Sequence, residues 1–205
     1  MSKNILVLLL VASATVVSAA ESLFDGKSLT GWEGDKSIWR VESGAIAGGS
    51  LEGNPRNEFL ATLKTYKNFI LRFEYKIVGN EGFVNGGVQI RSQRLSDPAN
   101  EMIGYQADIG HGYTGALYDE SRRKVVLAMP DKDLVKSIEK MGEWIGYEIR
   151  ANGPNIKIFV DGKLTVDYTE TDPSLVQDGY IGLQIHGKSK AVIWYRNLTI
   201  ETLPN

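Results

Sequence analysis

A two-residue repeat of apolar side chains, broken by glycine roughly every 8–15 residues, limits what this chain can fold into. "FILRFEYKI" places Phe69, Leu71, Phe73, Tyr75 and Ile77 on one side and Arg72, Glu74 and Lys76 on the other. Side chains alternate between the faces of a strand, so this segment reads as a strand with one dry face and one wet face. "IWRVESGAIAG", "GGVQIRS", "IGYQADIG", "WIGYEIRA", "NIKIFVDG", "KLTVDY", "YIGLQIHG" and "AVIWYRNLTIETL" read the same way. Between two such runs, Asp161-Gly162 signals a hairpin, because glycine tolerates positive φ. No strand–helix–strand rhythm appears. The pattern predicts an all-β fold: an antiparallel β-sandwich of the jelly-roll kind.

"DESRRKVVLAMPDKDLVKSIEKMGEW" breaks the pattern and predicts a long excursion between strands. Asp131 or Asp133 can cap a short helix running to about Lys140, with Leu134 and Ile138 on one side. The N-terminus has Lys3, an apolar run from Ile5 to Val17, and then "VSAAES". These are the parts of a secretory signal over residues 1–20, leaving one domain over residues 21–205 that is secreted or periplasmic. After cleavage no membrane span is expected. The chain has no cysteine, so an exported protein of this kind depends on its core for stability. With 23 basic and 25 acidic residues, it lacks the basic excess of a nucleic-acid partner. The oligomeric state is not legible in the sequence.

Three strands share a second pattern. In "GGVQIRS", Gln89 and Arg91 alternate with Val88 and Ile90. In "GYQADIG", Gln106 and Asp108 alternate with Tyr105, Ala107 and Ile109. In "GLQIHG", Gln184 and His186 alternate with Leu183 and Ile185. Side by side in one sheet, these strands would join amides, a cation, a carboxylate and an imidazole on one face. Glutamine both donates and accepts, which suits hydroxyl-rich ligands. Arginine and histidine stabilise an oxyanion, and Asp and His move protons. The plainer reading is a solvated face whose glutamines pair across strands. Trp32, Trp39, Trp144 and Trp194 read as core or edge packing. His111, flanked by glycine in "GHGYTG", could reach a ligand or lie exposed. Metal-ligand spacings and phosphate loops are missing, so no cofactor is expected; a calcium site of Asp and backbone oxygens is left open.

Several motifs in order carry a family resemblance: "LFDGKSLTGW", "EFLATLKTYKNFILRFEYKI", "FVNGGVQIRSQ", "EMIGYQADIGHGYTGALYDESRRK", "GEW", "DGYIGLQIHGK" and "YRNLTIETL". Together they resemble the 3-keto-disaccharide hydrolase domain family, from about Glu21 to Leu203. The resemblance implies a concanavalin A-like sandwich, bacterial export and action on a saccharide or glycoside. The substrate class it implies is 3-keto-glycosides, cleaved by hydrolysis or by elimination and hydration. The family often has Asn after the Trp of "GEW"; here Ile145 and Gly146 follow.

Elimination from a 3-keto sugar needs a base near C2, a donor near the C3 oxygen and an acid near the leaving oxygen. The candidates are Asp108 or His186 as base and Arg91 as enolate stabiliser. Gln89, Gln106 and Gln184 would hold hydroxyls. Glu58, Asp119 and Glu120 are rim acids, with His111, Tyr118 and Arg122 as further substrate contacts. For Asp119, Glu120 and Arg122 the alternative is a local ion-paired turn. Three other functions stay open: a two-carboxylate glycosidase using Glu58 and Asp108, a non-catalytic carbohydrate-binding module, and an extracellular interaction domain.

Overall fold

The structure, a computed structural model, describes residues 19–204. The expected signal therefore lies outside the described residues, apart from Ala19 and Ala20. In chain order the strands are β1 (Glu21–Ser22), β2 (Trp32–Glu33), β3 (Trp39–Glu42), β4 (Ala45–Asn54), β5 (Glu58–Tyr66), β6 (Phe69–Gly82), β7 (Gly86–Arg94) and β8 (Met102–Ile109). They continue as β9 (Leu117–Glu120), β10 (Val126–Ala128), β11 (Ile145–Asn152), β12 (Asn155–Val160), β13 (Lys163–Thr169), β14 (Gly179–Ile185) and β15 (Ser189–Thr202), with one helix, α1 (Lys132–Ile138). Two antiparallel sheets result. Sheet A runs β13-β12-β11-β6-β15-β4-β3, with β1 also on β15, and sheet B runs β10-β9-β8-β7-β14-β5-β2.

The alternation read from the sequence sets the inward faces. Phe69, Leu71, Phe73, Tyr75 and Ile77 of β6 meet Val88, Ile90, Tyr105, Ala107, Ile109, Leu183 and Ile185 of sheet B in one buried apolar cluster. Asp161 and Gly162 turn the β12–β13 hairpin with φ of 49° and 74°, the positive pair that a two-residue loop needs to match strand twist. In the excursion, Asp131 caps α1, accepting hydrogen bonds from the Asp133 and Leu134 N–H groups. Val135 and Ile138 are its buried residues, with Leu134 packed beside the core. Trp32 and Trp39 are buried, while Trp144 and Trp194 flank Lys76, with Arg196 over Trp144. No helix among the described residues is long and apolar enough to cross a membrane.

In β7 the expected alternation fails at one residue. The β7–β8 register shifts between Ile90 and Gln93, and Arg91 has φ of 49°. A bulge inserts one residue and reverses the parity beyond it. Ser92 therefore follows Gln89 on the outer face, its Oγ 2.5 Å from Gln89 Oε1. Arg91 turns to the opposite side and grips the β5–β6 connection and the β11–β12 turn. It donates from Nε to Lys67 O (2.7 Å), from Nη1 to Gly153 O (2.7 Å) and from Nη2 to Asn68 Oδ1 (3.2 Å). Gly179 permits the bulge, since a Cβ there would come within 2.5 Å of the Arg91 carbonyl carbon. Arg91 thus clamps the two sheets together and is far from an enolate-stabilising role. Arg91→Met, which removes a buried guanidinium and its hydrogen bonds to the Lys67 and Gly153 carbonyls and Asn68 Oδ1, is expected to lower unfolding free energy by roughly 2–4 kcal/mol in urea titration. A change within 0.5 kcal/mol would refute the clamp.

Candidate functional site

Apart from Arg91, the three rhyming strands bring their polar residues together. Cross-strand register sets Gln89 opposite Gln106, Gly87 opposite Asp108, Gly182 opposite Gln89 and Gln184 opposite Gly87. All lie on the face of sheet B turned away from the core, and β9 adds Tyr118 and Glu120. Two positions on this face are glycine for steric reasons. A Cβ on Gly87 would sit 2.9 Å from Gln106 Cγ, and one on Gly182 would overlap Met102 Sδ. Long side chains cross the sheet in the space these glycines leave. Gly104 takes φ of 147°, where a Cβ would come within 2.5 Å of Ser92 Oγ, and Met102 packs on Phe59 and Ala61 of β5.

A cavity of about 250 Å³ opens over this face. Its polar lining is Gln106, Asp108, Glu120, Asn85 and His186, and Phe83, Tyr113, Tyr118 and Val126 complete it. Phe83 lies between His111, Tyr113 and His186, with ring centroids 4.6, 5.9 and 4.9 Å away. The loop carrying His111 and Tyr113 is braced by Glu139 at the end of α1. That carboxylate accepts from Gly112 N (3.0 Å) and Thr114 Oγ1 (2.6 Å). The excursion thus supports one wall of the cavity.

Beneath it runs a directed chain of hydrogen bonds. Ser92 donates to Gln89 Oε1 (2.5 Å), Gln89 Nε2 to Gln106 Oε1 (2.9 Å), and Gln106 Nε2 to Asp108 Oδ1 (2.9 Å). Every donor points towards Asp108. The amides expected to hold hydroxyls are largely spent on one another: Gln89 is fully buried and does not line the cavity. Gln184 donates to Glu120 Oε2 (3.3 Å), and its own Oε1 is buried without a partner among the described residues.

Burial also decides protonation. It pushes the Asp108 carboxyl up to about 8, outweighing the Gln106 hydrogen bond, and nearby Glu120 adds to the rise. Burial likewise raises Glu120, helped by Glu101, and raises Glu101, helped by Glu58. His186 is lowered, first by burial and further by Lys188, against the opposing hydrogen bond to Gly187. Its Nδ1 lies 2.7 Å from Gly187 O. A carbonyl can only accept, so Nδ1 carries the proton of the neutral ring and Nε2 keeps its lone pair. The site thus pairs a neutral carboxyl with a neutral imidazole. Among the described residues no group of three or more His, Asp or Glu is placed to hold a metal ion.

Several candidates lie elsewhere. Asp119 faces the opposite side of β9 from Glu120, fully buried beside Tyr105. It accepts from Arg122 Nε (2.8 Å) and from Arg123 Nε, and Arg123 in turn binds Glu170 (2.7 Å). Asp119 and Arg122 therefore form the ion-paired turn, while Glu120 lines the cavity. Glu58 is buried against Arg56 (2.6 Å) outside the cavity, so Glu120, not Glu58, is the carboxyl beside Asp108 there. His111 is exposed on a positive-φ backbone and reaches the cavity only through Phe83. The sequence reading missed Phe83, Glu101 and Glu139. None belongs to the shared strand pattern, and tertiary packing alone brings them in.

The fold class is that of galectin- and concanavalin-like β-sandwiches. The chain belongs to the family of 3-keto-alpha-glucoside-1,2-lyase-like domains, whose family model matches residues 19–201. No curated protein sequence matches it significantly. Among solved structures, one glycosyl-hydrolase candidate from Parabacteroides distasonis ATCC 8503 superposes with a TM-score of 0.69 at 20% identity, covering 90% of this chain and 94% of its own. A second from the same organism gives 0.64 at 24% identity over 90% and 100%. The carbohydrate-binding module CBM66 from Bacillus subtilis gives 0.64 at 19% identity over 84% and 96%. At these identities what is shared is the fold.

The raised carboxyl has a thermodynamic signature. Between 3.8, its ordinary value, and about 8, folding takes up a proton at Asp108. Its contribution to stability is therefore present at low pH and lost as pH rises through this window, by roughly 1.4 kcal/mol per pH unit. Urea unfolding from pH 5 to 8 should show the wild type losing stability relative to Asp108→Asn. Parallel curves would mean that Asp108 is ionised throughout.

Proposed function

We propose that the protein is an exported carbohydrate-active enzyme that cleaves 3-keto-glycosides by elimination across C1–C2, followed by hydration. Family membership supports the substrate class, and the signal-like residues 1–20 support export. One observation carries the chemistry: the neutral Asp108 carboxyl and the His186 imidazole with its free Nε2 line one pocket.

A ketone at C3 acidifies the C2 proton, because the electrons left behind delocalise onto the C3 oxygen. His186 Nε2 takes that proton. The protonated Asp108 donates a hydrogen bond to the enolate oxygen, the role first expected of Arg91. A carboxyl kept neutral by burial stabilises an enolate without bringing a competing charge. As the enolate collapses, a C1–C2 double bond forms, the C1–oxygen bond breaks, and the leaving oxygen takes the Glu120 proton. Water then adds to C1 with Glu120 as base, and the proton on His186 returns to C2. Atoms and protons balance over the cycle, and the sum is hydrolysis.

The purified protein should cleave 3-keto-glucosides and leave their unoxidised parents intact, because the parents have no acidic C2 proton. His186→Gln should lower turnover by roughly 10²–10⁴-fold. Near-normal turnover in that variant would return the base role to Asp108. Saccharide binding with no cleavage of any keto substrate would make the protein a carbohydrate-binding module instead.

A further inference from the structure

The bulge in β7 that removes Arg91 from the outer face delivers Ser92 to it. Two glycines make room for this residue. A Cβ on Gly104 would come within 2.5 Å of Ser92 Oγ, and one on Gly179 within 2.6 Å of Ser92 N and O. Ser92 is fully buried and outside the cavity lining, yet it heads the hydrogen-bond chain that ends at Asp108.

Such a chain has two directions and nothing between them. Gln89 and Gln106 are 0% and 2% exposed, so water cannot satisfy an amide that turns alone. Turning one would set oxygen against oxygen or N–H against N–H. In the observed direction Asp108 Oδ1 accepts from Gln106. The proton of the neutral carboxyl is then left to Oδ2, which can donate it to a molecule in the cavity that Asp108 lines. In the reversed direction the carboxyl would donate from Oδ1 to the Gln106 oxygen, Gln106 to Gln89, and Gln89 to Ser92 Oγ. Asp108 would then offer the cavity lone pairs only, and these cannot stabilise an enolate.

Ser92 has one proton with which to settle this choice. Its Oγ lies 2.5 Å from Gln89 Oε1, 3.0 Å from Ile90 O and 3.4 Å from Tyr105 O. The shortest of these contacts takes the proton. The other titratable groups around Asp108 are Glu120 and Tyr118 of β9, His186 after β14, and Tyr147 of β11, whose hydroxyl donates to the Asp108 carbonyl. Among the described residues none of these shares a hydrogen bond with Ser92, so Ser92 acts on Asp108 through the two amides.

We propose that Ser92 is a positioning residue: by donating to Gln89 Oε1 it fixes the direction of both amides and makes Asp108 a hydrogen-bond donor to the molecule in the cavity. This rests on the reading of Asp108 as the donor to the enolate oxygen.

The test is Ser92→Ala. With the hydroxyl gone, the Gln89 oxygen would face the Ile90 and Tyr105 carbonyls, so the chain reverses. The ionised Asp108 loses its N–H donor and the neutral form gains an acceptor. Carbon-13 NMR of labelled aspartate follows the Asp108 carboxyl, identified by its absence in Asp108→Asn. Its midpoint should move up from about 8 by about one pH unit or more. A midpoint that stays or falls would overturn the proposal, since a merely loosened site admits water and lowers it. Gln89→Met cuts the chain between Ser92 and Asp108. In that background Ser92→Ala should leave the midpoint unmoved, and a shift as large as in the wild-type background would also overturn the proposal. On a 3-keto-glucoside, Ser92→Ala should lower kcat about tenfold and leave KM within about twofold, because the lost hydrogen bond is made in the transition state. A raised midpoint with unchanged kcat would refute Asp108 as the enolate donor and leave the chain standing. Absence of turnover in the wild type would refute the elimination reading alone, since the titration decides the chain independently.

Discussion

Two buried tyrosine hydroxyls of sheet A hold the site strands of sheet B from beneath. Tyr195 Oη lies 2.9 Å from Gly87 O and 3.0 Å from Gln184 O, and Tyr147 Oη donates to Asp108 O at 3.0 Å. Each hydroxyl is the polar tip of a ring packed in the core; Phe73 stacks on Tyr147 with centroids 5.1 Å apart. A buried hydroxyl without a partner is costly, so the position of each ring and that of the carbonyl above it are set together. The backbone under Gly87, Asp108 and Gln184 is thereby held in register with the core, and the chemistry on the outer face inherits that precision.

The outer face uses the same economy of hydrogen bonds. Serine and two glutamines could each bind water or a ligand, yet here they bind one another in a single direction that ends at Asp108. The chain holds the carboxyl in place and opposes, without cancelling, the effect of burial. A carboxyl that is both fixed and neutral near pH 7 is available as a hydrogen-bond donor, which an exposed aspartate is not. Glu120 and Glu101 share this environment: burial raises both, with Glu101 adding to the rise of Glu120 and Glu58 to that of Glu101.

Much of this was legible in the chain. The alternation of Val88 and Ile90, of Tyr105, Ala107 and Ile109, and of Leu183 and Ile185 assigned Gln89, Gln106, Asp108 and Gln184 to one face, because a slip of one residue would bury the polar set. Arg91 obeyed the same written pattern and lies on the other side. Periodicity supposes an unbroken ladder, and the bulge at Arg91 follows from how β7 meets Gly179, the β5–β6 connection and the β11–β12 turn. Asp119 shows the opposite case: strict alternation, applied to "LYDE", separates it from Glu120, but only the fold supplies its partners Arg123 and Glu170.

The sequence by itself determined the principal strands, their dry and wet faces, the Asp161-Gly162 hairpin and a helix cap at Asp131 or Asp133, since each depends on neighbours within a few residues. Tertiary structure alone decided which strands adjoin, where β7 bulges, that Phe83 lines the cavity, and that Glu139 braces the loop forming one of its walls. It also decided that Asp108 is neutral. Protonation depends on how completely water is excluded from a group, and that exclusion is the joint work of side chains distant in the chain.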